Sequence, residues 1–299
     1  MTQNLLTPEP QSPASERLKV DCSLQYQVDG DSEFLFLIQA APSADQSVVE
    51  ESLWLEPPLP HRTYLHQNSG NRFLRVRAPA GPLLLRYSAV VDRPADRPDT
   101  NAPEVPVHAI PDDVMRFLLP TRYCESDLLG PDAQQLFGVA PAGHARVRAV
   151  CDWVHSHIAY RIGSTTATTT AREVYVQRAG VCRDFAHLAV TFCRALNIPA
   201  RLVSAYAHFD EPPPDFHAVF EAFLDGRWVL FDPSGMCSVD QLVRLATGRD
   251  AKDVAFATIY GPARMVAMSP ELSIMTMVPD SGAAAAAQAC AAGVPVLTA

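Results

Sequence analysis

Residues 180–206 read GVCRDFAHLAVTFCRALNIPARLVSAY, and residues 214–235 read PDFHAVFEAFLDGRWVLFDPSG. The first stretch predicts a buried helix: apolar side chains fall at 185, 188, 189, 192, 195 and 196, and Asn197 and Pro199 stop the run. Its start lies near Cys182. A thiol at a helix N-terminus faces unpaired backbone N–H groups and the positive end of the helix dipole, both of which favour the nucleophilic thiolate. Cys193, deep in the same helix, fits the ordinary role of a free cysteine as a small buried hydrophobe.

The second stretch holds two β-like segments around Asp225-Gly226, a dipeptide suited to a two-residue type I′ hairpin turn. With that turn, position 224 pairs with 227 and Asp232 lies opposite Val219. Asp232 then shares a sheet face with His217, two residues away on the neighbouring strand. A three-residue turn would move Asp232 to the opposite face. On the first register the carboxylate can fix one imidazole nitrogen while the other faces the thiol, which is triad logic in its cysteine form. An imidazolium beside the thiol favours an ion pair. Each residue also has an ordinary alternative role, His217 as a half-buried strand histidine and Asp232 before Pro233 as a turn former.

Outward from this core the chain divides in two. At 299 residues it exceeds what one hydrophobic core usually organises. Residues 1–15 are rich in Pro, Ser and Gln and are expected to be disordered, and 281–299 form a low-complexity tail. Within 16–100, the segments 19–28, 33–40, 47–55, 71–77 and 83–91 alternate or run apolar between turn residues, which predicts an antiparallel β-sandwich. Residues 93–107, with four prolines, read as a linker. The second domain, 101–280, starts helical at 111–119, 131–137 and 144–158. It continues after the 185–196 helix in short β segments at 201–207, 217–224, 227–231, 255–260 and 264–268, giving an α+β fold with a nucleophile-bearing helix packed on an antiparallel sheet.

The composition, 48% hydrophobic and 19% charged, is that of a soluble globular protein. A net charge of -9 supplies no basic footprint, so neither nucleic acid nor an anionic membrane is an expected partner. The N-terminal residues lack a basic then apolar leader pattern, and the expected location is cytoplasmic. Seven scattered cysteines without a CxxC pair suggest neither a disulfide framework nor a zinc knuckle.

With Cys182, His217 and Asp232 in these contexts, the sequence resembles the core of bacterial transglutaminase-like proteins, a superfamily of papain-like cysteine enzymes. The resemblance runs over roughly residues 140–270. It rests on a Cys after a Gly at a helix start, an Asp two residues on, the segment Ile198-Pro199-Ala200-Arg201, a His at a strand start, and Asp232-Pro233 after the next strand. The stretches TRYCESD (121–127) and WVHSHIAYRIGSTT (153–166), with an N-terminal β domain, are similar to one bacterial branch. The resemblance implies Cys182 as nucleophile, His217 as general base and acid, and Asp232 as the group orienting the imidazole. It also marks Asp184 as part of the motif, in a supporting role that caps helix N–H groups and pairs with Arg183 or Arg201.

The implied chemistry is attack of Cys182 on a peptide or isopeptide amide to form a thioester, resolved by water or by an amine. The oxyanion is expected to take the Cys182 N–H plus one further donor, for which Tyr160, Trp153 and Gln177 are upstream candidates. The substrate is expected to be a protein or peptide, and the oligomeric state is open. The rival function is a non-catalytic interaction module that retains the fold. His155 and His157 point apart on a helix and make no metal pair. His208, Asp210 and Glu211 read as a solvated loop near the substrate entrance. With no calcium loop, P-loop or dinucleotide motif, no cofactor or metal is implied.

Overall fold

The computed structural model describes residues 15–43, 45–94, 99–209 and 215–275. The terminal stretch 1–14, the low-complexity tail 281–299, the loop acids Asp210 and Glu211 and part of the proline-rich stretch (95–98) lie outside the described residues. The fold is α+β, as the sequence predicts. Ser15–Val28 (β1), Ser32–Phe36 (β2), Ser47–Glu56 (β3), His61–Leu65 (β4), Arg72–Ala78 (β5) and Gly81–Pro94 (β6) build the N-terminal β domain. Alternation decides its inner face. In β1, Leu18, Val20, Cys22, Leu24, Tyr26 and Val28 are buried while Lys19 and Gln25 are exposed. The alternation rule does not find β4, whose five side chains are all exposed and which is held by pairing with β5.

The second domain carries the single-turn helix Asp112–Met115 (α1), then Gly130–Phe137 (α2), His144–His157 (α3), Ala171–Gln177 (α4) and Cys182–Ala195 (α5). Two-residue strands Ala159–Tyr160 (β7) and Ala179–Gly180 (β8) pair in parallel. Ala200–Ala207 (β9), His217–Leu224 (β10), Arg227–Phe231 (β11) and Leu242–Gly248 (β12) form an antiparallel sheet in the order β11-β10-β9-β12. Helix α5 lies on this sheet with every side chain from Asp184 to Arg194 buried, sharing one core with α2, α3 and α4. A helix apolar or internally satisfied on all sides has to be central, and this one is.

Three sequence expectations change. The helix over 111–119 shrinks to α1, because Phe117 N–H and Leu118 N–H bond three residues back, to Val114 and Met115, and tighten the chain out of the α-helical path. The linker reading fails from Asp99 onward. Ala102 is fully buried, its carbonyl accepts His144 N–H, and Glu104 holds Gly143 N–H and Arg146. The division of the chain into 16–100 and 101–280 also gives way at its far end. After the short helix Ala251–Val254 (α6), Ala257–Tyr260 (β13) pairs with β2 and Ala263–Met275 (β14) pairs with β1.

The β domain is therefore two four-stranded sheets, β14-β1-β6-β3 and β13-β2-β5-β4. Both C-terminal strands cover an otherwise open sheet edge. Pro270 is tolerated in β14 because that strand is itself an edge. The two halves of the chain share buried surface: Tyr206, Val243 and Leu245 sit in the sandwich core, and Tyr206 Oη donates to the Ile38 carbonyl at 2.7 Å. No helix among the described residues is long and apolar enough to cross a membrane.

The β10–β11 hairpin has the register read from the sequence, Leu224 against Arg227 and Phe220 against Phe231. Asp225 and Gly226 both have positive φ, 49° and 75°, as a type I′ turn requires. A Cβ at Gly226 would meet open space, so replacement strains only the backbone. Gly226→Ala is expected to cost about 1–2 kcal/mol, measured by urea unfolding of the full chain.

Candidate active site

The site is assembled at the amino end of α5. Gly180 precedes the helix because a Cβ there would lie 2.8 Å from Asp184 Cβ. Asp184, fully buried, turns back to accept Val181 N–H at 3.0 Å and the Thr165 hydroxyl at 2.6 Å on Oδ2, and the Arg183 guanidinium at 2.7 Å on Oδ1. Every lone pair facing the protein has a donor, which makes the buried carboxylate tolerable and fixes the first turn. Arg183 is thus its cation. Arg201 is not, because it is bound to Glu221 at 2.7 Å and stacks on Trp228.

Cys182 stands at the first position of this helix and is partly exposed. Of the six described cysteines, Cys22, Cys124, Cys151 and Cys193 are buried, and only Cys182 and Cys237 reach the surface. Burial pushes the Cys22 thiol up to about 12 and the Cys124 thiol to about 11, so neither is a nucleophile at neutral pH.

His217 opens β10 and Asp232 follows β11, one step beyond the Phe220–Phe231 pair. His217 Nε2 and Asp232 Oδ2 are 3.0 Å apart, with both side chains almost wholly buried. Asp232 Oδ1 accepts the Ser234 N–H at 2.8 Å and the Ser234 hydroxyl at 2.6 Å. The turn former and the histidine partner are the same carboxylate, one role on each oxygen. Burial works against the Asp232 carboxylate, but the His217 and Ser234 contacts prevail and hold its pKa down at about 2. Burial likewise opposes the imidazolium. Asp232 and the thiols of Cys182 and Cys237 outweigh it and raise the His217 pKa well above 6.5. Nδ1 is buried and has no hydrogen-bond partner, which leaves it as the nitrogen available to Cys182.

Of the three upstream candidates, the fold brings one near Cys182. The β7–β8 pair sets Tyr160 opposite Gly180, and Arg161 N–H donates to the Gly180 carbonyl at 2.9 Å. The Tyr160 side chain thereby lies beside the amino end of α5, its ring centroid 5.8 Å from that of Phe185 and Cys182 among its near neighbours. Burial and then the neighbouring Cys182 push the Tyr160 pKa up to about 12, so the hydroxyl keeps its proton and can donate. Trp153 packs instead among Phe137, Tyr175 and Phe192 in the helical core. The Gln177 amide is bound to the Ala179 carbonyl at 2.9 Å.

Residues given no part in the triad by the sequence reading lie around the site. His155 lies against Gly235 and pairs through Nδ1 with the Ser234 carbonyl at 2.9 Å, steadying the turn that carries Asp232. His157 stacks on Trp153, so the two histidines do diverge. His208 donates to the Leu272 carbonyl of β14. Cys237 gives both its N–H, at 3.3 Å, and its S–H, at 3.4 Å, to Asp232 Oδ2. Among the described residues, His217, Asp232 and Cys237 are the one group of metal-ligating side chains close enough to share an ion. Ser234 had a signal, the Asp-x-Ser spacing of an Asx turn. Cys237 and His155 had none.

Residues 133–233 match the model of the transglutaminase-like superfamily, and residues 16–113 that of the bacterial transglutaminase N-terminal domain. The crystal structure of a candidate cysteine protease from Cytophaga hutchinsonii is similar at a TM-score of 0.84 and 37% sequence identity, over 89% of this chain and 92% of that one. An uncharacterized Mycobacterium leprae protein is 28% identical over 194 residues, 60% of this chain and 68% of its own length. An uncharacterized Mycobacterium tuberculosis protein is 34% identical over 122 residues, 36% of this chain and 39% of its own. The buried helix α5 on an antiparallel sheet, the N-terminal β domain and the near full-length likeness agree: the chain belongs to the transglutaminase-like superfamily.

Proposed function

We propose that the protein is a cysteine-nucleophile hydrolase of peptide or isopeptide bonds that works through a thioester on Cys182, with His217 and Asp232 completing the triad. The observation that carries this reading is the division of labour on His217. Nε2 is held by a buried carboxylate, while Nδ1 is buried, unpartnered and left to a partly exposed thiol at a helix N-terminus.

The Cys182 thiolate attacks the amide carbon, and a sulfur–carbon bond forms as the carbonyl oxygen becomes an oxyanion. In this reading the Cys182 N–H and the Tyr160 hydroxyl donate to it. The carbon–nitrogen bond then breaks, and the imidazolium of His217 gives its Nδ1 proton to the leaving amine. Neutral His217 next takes a proton from water, the resulting hydroxide attacks the thioester, and the carbon–sulfur bond breaks to return the thiolate and a free acid. Asp232 keeps the ring in one orientation through both steps. Water is favoured as the acyl acceptor because Cys182 and Tyr160 are both open to solvent, and because the similar Cytophaga hutchinsonii protein is described as a candidate protease.

The test is reaction of the full chain with a thiol-directed activity probe and with an activated ester. Cys182 is expected to label far faster than the other cysteines, and Cys182→Ala to remove both labelling and acyl-enzyme. Slow, even labelling of all seven cysteines would favour a non-catalytic module. Tyr160→Phe is expected to slow acylation by about a hundredfold, with no change in far-ultraviolet circular dichroism.

The ion pair has its own pH signature. Asp232 is depressed from 3.8 to about 2, so its share of stability is complete above 3.8 and lost as pH falls toward 2. His217 is raised above 6.5, so its share is complete below 6.5 and lost as pH rises through the raised value. The Tm difference between wild type and Asp232→Asn is therefore expected to be greatest between about pH 4 and 6.5 and to shrink on both sides. A difference that is flat with pH would contradict the pairing.

A further inference from the structure

Cys237 takes no part in the thioester scheme, yet it sits against its two buried members. One ligating atom from each of His217, Asp232 and Cys237 lies within 4.8 Å of the others. Asp232 Oδ2 is 3.0 Å from His217 Nε2 and 3.4 Å from Cys237 Sγ. A tetrahedral zinc ion with bonds of about 2.0–2.3 Å spaces its ligand atoms about 3.3–3.7 Å apart, so these edges need to open by less than about half an ångström.

The donor set, imidazole nitrogen, carboxylate oxygen and thiolate sulfur, suits zinc or cadmium and not calcium or magnesium, which want oxygen alone. Cys237 is partly exposed, so an ion has a route in from solvent. His217 Nδ1 has no hydrogen bond to break, which lets the ring adjust toward the ion.

We infer that His217, Asp232 and Cys237 form a binding site for a thiophilic divalent cation, and that the bound ion switches the site off. The ion replaces two protons, the Cys237 thiol proton and the one on His217 Nε2. Asp232 then holds the metal and no longer the imidazole, and the ring loses the imidazolium form that partners the Cys182 thiolate. Binding stands on the cluster alone, whereas the inhibition rests on the proposed thioester reading.

The test is a cadmium titration of the metal-free full chain, followed by the ultraviolet thiolate-to-cadmium charge-transfer band, on wild type, Cys182→Ala, Cys237→Ser and Cys237→Ala. Wild type and Cys182→Ala are expected to saturate at one ion per chain. Folded Cys237 variants are expected to bind at least about tenfold more weakly, since even outer-shell changes cost that much. A band kept in the Cys237 variants overturns the site, as does one lost in Cys182→Ala, which would put the ion on the nucleophile. Should both Cys237 variants unfold, peptide mapping of wild type decides: cadmium has to protect Cys237 from alkylation, and no protection overturns the proposal. In wild type, cadmium is also expected to slow labelling of Cys182 at least tenfold, and an unchanged rate overturns the inhibition. Slow labelling of Cys182 already in the metal-free chain counts against the thioester reading and leaves the ion site to the titration.

Discussion

Helix α5 is buried along its length, and the polar end of a buried helix has to be satisfied from within the protein. Asp184 does this by turning its side chain back to Val181 N–H, with Thr165 and Arg183 completing its shell. The bend this demands leaves no room for a side chain at position 180. Position 182 thus stands at the first turn, where backbone donors are free and the dipole is positive. The sheet beneath the helix, the parallel pair that brings Tyr160 in, and the three helices around it are all arranged about this one element.

The second constraint is electrostatic. A carboxylate and an imidazolium removed from water lose hydration that their mutual attraction alone does not reliably restore. Here the deficit is met by extra donors. Ser234 supplies two to one oxygen, and Cys237 supplies two to the other beside His217. The Asp-Pro-Ser turn after β11 is therefore part of the electrostatics as well as of the chain reversal, and His155 ties that turn to α3. The same crowding of donors and ligating atoms on Asp232 is what makes the cluster attractive to a soft cation.

The sandwich is joined to this core by shared burial and not by a tether. Tyr206, Val243 and Leu245 reach from β9 and β12 into the sandwich interior, and Arg244 binds both Glu221 in β10 and Asp45 near β3. With β13 and β14 pairing back to β2 and β1, the chain crosses between the two halves twice. Moving one half relative to the other would expose apolar surface and break the Arg244–Asp45 ion pair, so the two are expected to unfold together.

What the amino-acid order determined by itself is what depends on neighbours in sequence. The helical period of 185–196 and its stop at Pro199, the alternation in β1, and the Asp-Gly turn that sets Asp232 on the face of His217 are each local, and each is read within about sixteen residues. Only the tertiary structure decided the rest. That Tyr160, and not Trp153 or Gln177, stands at Cys182 follows from a two-residue parallel pair too short to leave a pattern. The return of 257–275 to the first domain is a choice of partner, and a strand's own sequence states its faces but not which edge it will cover. Cys237 illustrates the limit: one cysteine among seven carries no periodic signal, and its place against Asp232 comes from a turn and a sheet converging through space.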